Sequence, residues 1–202
     1  MKHTIYTIGY SGFPRDEFVA AIANLGINTV IDVRSSPYSH HSPEYDCSEM
    51  EVRLKEDGIR YQSYAEEFGA RQENPAFYSE DGIMDFEIFA KSDQFRNGLE
   101  KVTQAMEEGA SIALMCKEEP PIECHRAILV ARAFRERGDC VKHICPEGIL
   151  TQEELEDQLL NRYCPEGEVL SSPEDGKARE ERLQEAYRLC NREIGYHRKE
   201  RY

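Results

Sequence analysis

The eleven residues Cys116-Lys117-Glu118-Glu119-Pro120-Pro121-Ile122-Glu123-Cys124-His125-Arg126 hold two thiols, an imidazole, a guanidinium and three carboxylates. A thiol at the start of a helix has a lowered pKa, because free amides and the helix dipole favour thiolate, and Cys124 stands where a helix is predicted to open. His125 suits general acid or base work near neutral pH, and Arg126 suits an oxyanion. A second stretch, Asp32-Val33-Arg34-Ser35-Ser36-Pro37, ends an apolar run. Alternation along an extended chain puts Asp32 and Arg34 on one face, where Arg34 can grip an anion bidentately. Plainer readings stand beside these. Asp32–Arg34 can be a salt bridge tying strand to loop, with Ser35 and Ser36 making local turns. Cys116 and Cys124 can simply pack, while His125 and Arg126 cap loops.

Three sharper readings compete for the Cys–His–Arg segment. A rhodanese-like or phosphatase-like site puts a Cys after a strand and wraps loop amides around an anion. Cys116 is in the right place, but Glu118, Glu119 and Glu123 repel a thiolate or phosphate, and Arg126 is ten residues on, too far for the short phosphatase loop. A metal site drawn from Cys116, Cys124, His125 and either Glu118 or His143 has the ligand types of zinc. Its spacing is not a compact zinc signature, and adjacent Cys124 and His125 are expected to point apart on a helix. The third reading is an acid/base site, with Glu118, His125, Asp32 and Arg34 around an anionic or nucleotide-like ligand. It uses the acidic loop without strain and is the first choice of the three.

The elements that must position these residues follow from periodicity. Thr4–Ile8, Thr29–Val33, Ser111–Cys116 and Cys140–Ile144 are predicted strands, rich in β-branched and apolar residues, and Ile59–Tyr61 is a shorter candidate. Helices are predicted over Asp16–Leu25, from a Ser48/Glu51 capping box to Asp57, and from Phe86 to Met106 with a break near Ser92. Another is predicted from Cys124 to Arg137. Alternating strands and helices predict an α/β fold with a mainly parallel twisted sheet and helices on both faces. The site is then expected beyond the carboxyl ends of two parallel strands. Thr151 caps an acidic helix. Residues 164–177 read as a linker, and Lys177–Tyr202 as a charged C-terminal helical extension with Leu183, Tyr187, Cys190 and Ile194 on one stripe. We therefore divide the chain into an α/β domain, 1–163, and an appended segment, 164–202. The stripe predicts an arm that packs on the domain or on a second copy in a homodimer.

Composition narrows the function. The chain has 202 residues and a net charge of −14, which opposes whole-surface attraction to nucleic acid or anionic membrane. A local basic groove from Arg34, Arg53, Arg60, Arg71 and Arg126 stays open. Seven scattered cysteines make an odd number in a chain this long, so reduced thiols are expected rather than a disulfide framework. No apolar run is long enough to span a membrane, and the first residues lack a secretory signal, so a cytoplasmic location is expected. His40-His41 is a pair in a loop. Tyr38, Tyr45, Tyr61, Tyr64, Phe77 and Tyr78 are expected either to line a pocket for a flat ligand or to join the core.

The segments Tyr6-Thr7-Ile8-Gly9-Tyr10-Ser11, Asp32-Val33-Arg34-Ser35-Ser36-Pro37-Tyr38-Ser39 and Cys116-Lys117-Glu118 … Pro121 … Cys124-His125-Arg126 … His143-Ile144 resemble, in order and together, the domain of unknown function 488 family. The resemblance covers about residues 4–149. It implies a bacterial or archaeal cytosolic α/β protein whose signature positions are Asp32, Arg34, Ser35, Pro37, Ser39, Cys116, Glu118, Cys124, His125 and Arg126. It supplies no reaction, beyond a hint of a nucleic-acid-related role. Tyr10 stands where the family often has His, so a ligand or base there is replaced by a phenol. Gly69-Ala70 stands where a double Gly is common, and His40 where a basic residue is common. The resulting expectation is an enzyme acting on a small anionic or nucleotide-like ligand. Arg34, Ser35, Ser39, Arg126 and Tyr10 would bind it, and His125, Cys124, Glu118 and Asp32 would act on it. The rival is a non-catalytic module that binds nucleic acid or a protein.

Overall fold

The computed structural model describes residues 2–39, 42–165 and 173–198. Its centre is a six-stranded sheet made of β1 (Thr4–Gly9), β2 (Thr29–Asp32), β3 (Arg60–Ser63), β4 (Ile112–Cys116), β5 (Cys140–Cys145) and β6 (Gly148–Thr151). The order across the sheet is β3-β2-β4-β1-β5-β6, with β1 to β5 parallel and β6 antiparallel to β5. Strands β2 and β4 are buried at every residue, as a parallel sheet covered on both sides requires.

Alternation sorts side chains between two cores. Ile112, Leu114 and Cys116 face one layer with Ile5, Ile31 and Val33, while Ala113 and Met115 face the other with Ile8 and Val30. Helices α1 (Arg15–Asn24) and α2 (Cys47–Glu56) cover the second layer with Phe18, Ile22, Met50 and Leu54. The first layer is covered by α3 (Ala65–Phe68), α4 (Phe86–Ala90), α5 (Asp93–Glu107), a helix around Arg126–Glu136, α7 (Gln152–Tyr163) and α8 (Pro173–Ile194). The helix around Arg126–Glu136 opens with a wide π turn, Arg126–Ala131, and ends as α6 (Arg132–Glu136). In α5, Phe95, Leu99, Val102 and Met106 form the buried stripe, each side chain contributing roughly 1.5–3 kcal/mol when fully buried. Ser92 caps this helix through its bond from the Phe95 amide, which explains the break after α4. The chain leaves β2 toward the α1–α2 layer and leaves β4 toward the other. The loops therefore part beyond the carboxyl ends of these adjacent strands, which is where open α/β sheets bind ligands.

Four expectations are corrected. β6 was not anticipated, because Gly148-Ile149-Leu150-Thr151 is too short and exposed to show alternation. Helix α2 starts one residue before Ser48, so the Ser48/Glu51 box does not form; Asp46 precedes the helix, and its carboxylate accepts from the Ser39 amide instead. Cys124 lies outside the helix it was expected to open: its backbone is extended (φ −134°, ψ 134°) and its carbonyl accepts from the Ala127 and Ile128 amides. The tail helix begins at Pro173, inside the expected linker, and residues 166–172 lie outside the described residues. Leu183, Ala186, Tyr187 and Cys190 of α8 are buried in the chain's own core, the first of the two packings expected of the stripe. Among the described residues, no helix is long and apolar enough to cross a membrane.

Candidate functional site

The site begins with a close approach. At the end of β1, a Cβ on Gly9 would lie 1.8 Å from the Glu118 carbonyl oxygen, so only glycine lets the Lys117–Glu119 loop fold across the sheet edge. The Ser11 amide donates to the Lys117 carbonyl at 3.0 Å. Arg126, fully buried, clamps the loop from below: its guanidinium donates to the carbonyls of Glu118 and Glu119 and to Thr7 Oγ1. These bonds use the guanidinium inside the protein, and Arg126 does not line the cleft described below. The expected ligand-binding arginine is instead the pin that holds Glu118 in place.

Above that pin, four side chains converge. Glu118 Oε2 accepts from the thiols of Cys116 (3.1 Å) and Cys124 (3.2 Å). His125 Nδ1 lies 3.9 Å from Cys116 Sγ and 4.0 Å from Cys124 Sγ, while its Nε2 pairs with the Val33 carbonyl at 2.9 Å. A carbonyl can only accept, so Nε2 carries the hydrogen and Nδ1 faces the sulfurs. The extended backbone at Cys124 explains how neighbours in sequence meet: Cys124 and His125 do not share a helix, and the expectation that they point apart is overturned. All four ligand atoms lie within 4.8 Å of one another, so Cys116, Glu118, Cys124 and His125 could together hold a metal ion.

The two thiols are unequal. Burial disfavours thiolate at Cys124, but the hydrogen bond from Cys116, the Arg126 charge and His125 outweigh it and hold this thiol well below its ordinary value. Cys116 is pushed well above, by its hydrogen bond to Cys124, by burial and by the negative charges of Cys124 and Glu118. Burial works against imidazolium at His125, yet the hydrogen bond and charge of Cys124, with the Val33 carbonyl, raise its pKa. Of the two sulfurs, Cys116 lines the cleft and Cys124 lies behind it. Both face one carboxylate and one imidazole, an arrangement that suits ligands or proton holders.

The second stretch forms the facing wall. Asp32, fully buried, accepts from the Arg34 amide (3.0 Å), from Arg34 Nε (2.9 Å) and Nη2 (2.6 Å), and from the Tyr61 hydroxyl (2.6 Å). Asp32 therefore orients Arg34 and does not itself reach the cleft. Arg34 is 6% exposed, and its Nη2 also donates to the Tyr45 carbonyl at 2.8 Å. Burial alone would lower the Arg34 pKa, but the Asp32 hydrogen bonds and charge reverse this and fix the positive charge. Its Nη1 meets no acceptor among the described residues. Tyr10, stacked on Tyr45 at 4.1 Å, lies under the guanidinium, 5.2 Å from its ring centre.

Between the walls is a cleft of about 390 Å³, lined by Tyr10, Arg34, Ser35, Ser36, Tyr38, Ser39, Arg71, Cys116, Glu118 and His125 among others. The structure thus brings Arg34, Ser35, Ser39, Tyr10, Cys116, Glu118 and His125 to one place, with Cys124 immediately behind. Ser35 Oγ accepts from the Arg71 amide and Ser39 Oγ from the Ser42 amide, so both hydroxyls also shape their loops. The basic groove that the sequence left open does not form among the described residues: Arg53 of α2 pairs with Asp57, Arg60 lines a separate cleft, and Arg126 is buried, leaving Arg34 and Arg71 here. Of the aromatic set, Tyr38 lines the cleft, while Tyr45 and Tyr64 stack on other rings, Phe77 packs tilted against Phe89, and Tyr61 and Tyr78 hydrogen-bond within the fold. His40 and His41 lie outside the described residues. Four groups contribute in ways that the residue types did not show. Tyr61 and the Val33 carbonyl act only through register. Ile194 and Tyr196 close the cleft because the tail pairs back through the Met84 amide to the Tyr196 carbonyl.

His143, once a candidate ligand, is fully buried with both ring nitrogens committed, Nδ1 to Thr7 Oγ1 (2.8 Å) and Nε2 to Gln152 Oε1 (3.0 Å). Burial, with the Arg126 charge, lowers its pKa to about 3, so it is a neutral structural link. From it the buried polar chain continues through Gln152 to the Tyr187 hydroxyl on α8.

No curated protein matches the chain, and no solved structure does. Residues 14–133 match the model of a family described as Domain of unknown function DUF488. That stretch is more than half of the sequence and carries both walls of the cleft, from Arg34 to the four converging side chains, and the protein belongs to the DUF488 family.

Proposed function

We propose that this protein is an enzyme that binds a small anionic or nucleotide-like ligand on Arg34 and transfers protons with Glu118 and His125. The observation that carries the reading is the Arg34 guanidinium: buried, locked by Asp32, lining the cleft, and with one nitrogen unmatched. Leaving a buried donor unpaired is costly, and an anion entering from the cleft satisfies it with a charge-assisted bond. Glu118 is exposed at the cleft floor and touches both thiols, which suits a proton carrier between ligand and cluster. The exposed Tyr38 offers a face for a flat group beside the anion. A net charge of −14 and the dispersal of the arginines favour a small ligand over a nucleic-acid strand.

The test is binding, then turnover. Isothermal titration with inorganic phosphate and adenosine monophosphate is expected to show one site per chain. Arg34→Lys, which keeps charge but loses the fork, should weaken it about tenfold or more. Equal binding by Arg34→Lys would overturn the anion assignment. Phosphorus and proton NMR of the protein with a panel of nucleotides, sugar phosphates and organic acids should reveal turnover of at least one, lost in Glu118→Gln. Ligand binding with no turnover across the panel would turn the reading toward a binding module.

A further inference from the structure

We propose that Cys116, Cys124, His125 and Glu118 form a zinc site, in which three buried or half-buried ligands hold the ion and Glu118 is a fourth, exchangeable one. A tetrahedron with Zn–S of about 2.3 Å and Zn–N or Zn–O of about 2.0–2.2 Å has edges of roughly 3.5–3.8 Å. Four of the six edges here are 3.1 and 3.2 Å from sulfur to Glu118 Oε2, and 3.9 and 4.0 Å from sulfur to His125 Nδ1; the sulfur–sulfur and imidazole–carboxylate edges lie within 4.8 Å. The first four bracket the ideal, and closing the site on an ion needs shifts of at most about an ångström. The two longer edges are poor hydrogen bonds and good ligand spacings.

The surroundings agree. His125 Nε2 donates to the Val33 carbonyl, the outer bond that fixes a ligating imidazole with its other nitrogen facing the ion. The Arg126 clamp on the Glu118 carbonyl and the glycine contact at Gly9 fix the loop that delivers both Cys116 and Glu118. Exposure divides the set: Cys116 and Cys124 are buried, His125 is half-buried and Glu118 is exposed. Three inner ligands and one solvent-side position is the pattern of reactive zinc centres rather than sealed structural ones. Uptake of Zn²⁺ would release the thiol protons. The ion would sit at the floor of the cleft that Arg34 lines, as a Lewis acid for an oxygen of the bound ligand. Zinc binding stands independently of anion binding by Arg34; with the ion bound, His125 is a ligand and proton transfer falls to Glu118, whose displacement by a ligand rests on the anion reading.

The full chain, reduced with a phosphine and freed of metal by chelation, is titrated with Zn²⁺ against a chromophoric chelator. One ion per chain is expected, with affinity falling at least about 100-fold in Cys124→Ser and His125→Gln, beyond the 10–100-fold of a lost outer partner. Glu118→Gln should fall only about 10-fold. Cys140→Ser, at an exposed thiol outside the cluster, should leave uptake unchanged. Because a cluster variant can fail to fold, Co²⁺ is also bound to the unaltered protein, where charge-transfer absorption of two thiolates in a tetrahedral field is expected. No uptake by the reduced protein, uptake lost in Cys140→Ser, or a cobalt spectrum without thiolate absorption would each overturn the site. Adding phosphate should then shift the cobalt d–d bands in the unaltered protein and not in Arg34→Met. Cobalt bound with no shift on phosphate keeps the metal site and removes only Glu118 exchange, so the two failures are separable.

Discussion

Asp32→Asn tests whether the cleft is built as described. In the native protein one carboxylate takes four bonds, from the Arg34 amide, Arg34 Nε and Nη2, and Tyr61. Asparagine keeps one accepting oxygen and turns an NH₂ toward a guanidinium that is 6% exposed. Removing one partner of such a pair costs about 3–5 kcal/mol, because the other charge stays buried and uncompensated. For a chain of this length each kcal/mol lowers Tm by roughly 2–4 °C, so the expected fall is about 6–20 °C. Tyr61→Phe removes one of the four bonds and should cost only about 1 kcal/mol. Adding Arg34→Met to Asp32→Asn removes the stranded charge, and the double variant should regain at least about 1 kcal/mol over the single one. Urea unfolding followed by far-ultraviolet circular dichroism measures all three, and phosphate titration of the double variant should show binding abolished. A cost below about 1 kcal/mol for Asp32→Asn, or a double variant no more stable than the single, would refute the argument that Asp32 exists to hold a buried cation in place.

Other outcomes follow from single contacts. Gly9→Ala places a Cβ against the Glu118 carbonyl and should cost about 1–3 kcal/mol by crowding, with zinc and phosphate affinity falling together. Substitution of Gly26, where a Cβ meets nothing within 4 Å, should leave both affinities unchanged. Arg126→Met should loosen the Glu118–Glu119 loop, read as faster amide exchange there, while ligand affinity falls only indirectly. His143 has a folded pKa of about 3 against an ordinary 6.5. Its contribution to stability is therefore present above pH 6.5 and lost progressively as the pH falls toward about 3. At pH 5 the loss is about 2 kcal/mol relative to neutrality, and His143→Asn should flatten that part of the stability profile.

The α/β architecture was legible because β4 is apolar throughout, β2 is apolar but for Thr29 and Asp32, and the helices α1 and α2 carry apolar faces with glycine ends at Gly26 and Gly58, both at positive φ. The place of the site was legible too, since Asp32–Arg34 and Cys116–Glu118 both follow such strands. What the sequence hid was how backbone shape bends neighbours together. Cys124 and His125 read as the start of one helix, yet an extended Cys124 brings sulfur and imidazole into one cluster. Arg126 read as a ligand-binding cation because nothing in its neighbours reveals that its partners are two backbone carbonyls. Tyr61 and Val33 contribute through strand register and a main-chain oxygen, which residue types do not encode.

The cleft is finished by residues from outside the stretch that defines the family. Tyr10 comes from before residue 14, and Ile194 and Tyr196 come from a tail that folds back over sixty positions after residue 133. The sulfur–imidazole–carboxylate cluster and these flanking residues of the cleft are therefore carried on separate lengths of polypeptide. A substitution at Ile194 or Tyr196 can reshape the cleft without touching a residue of the matched stretch.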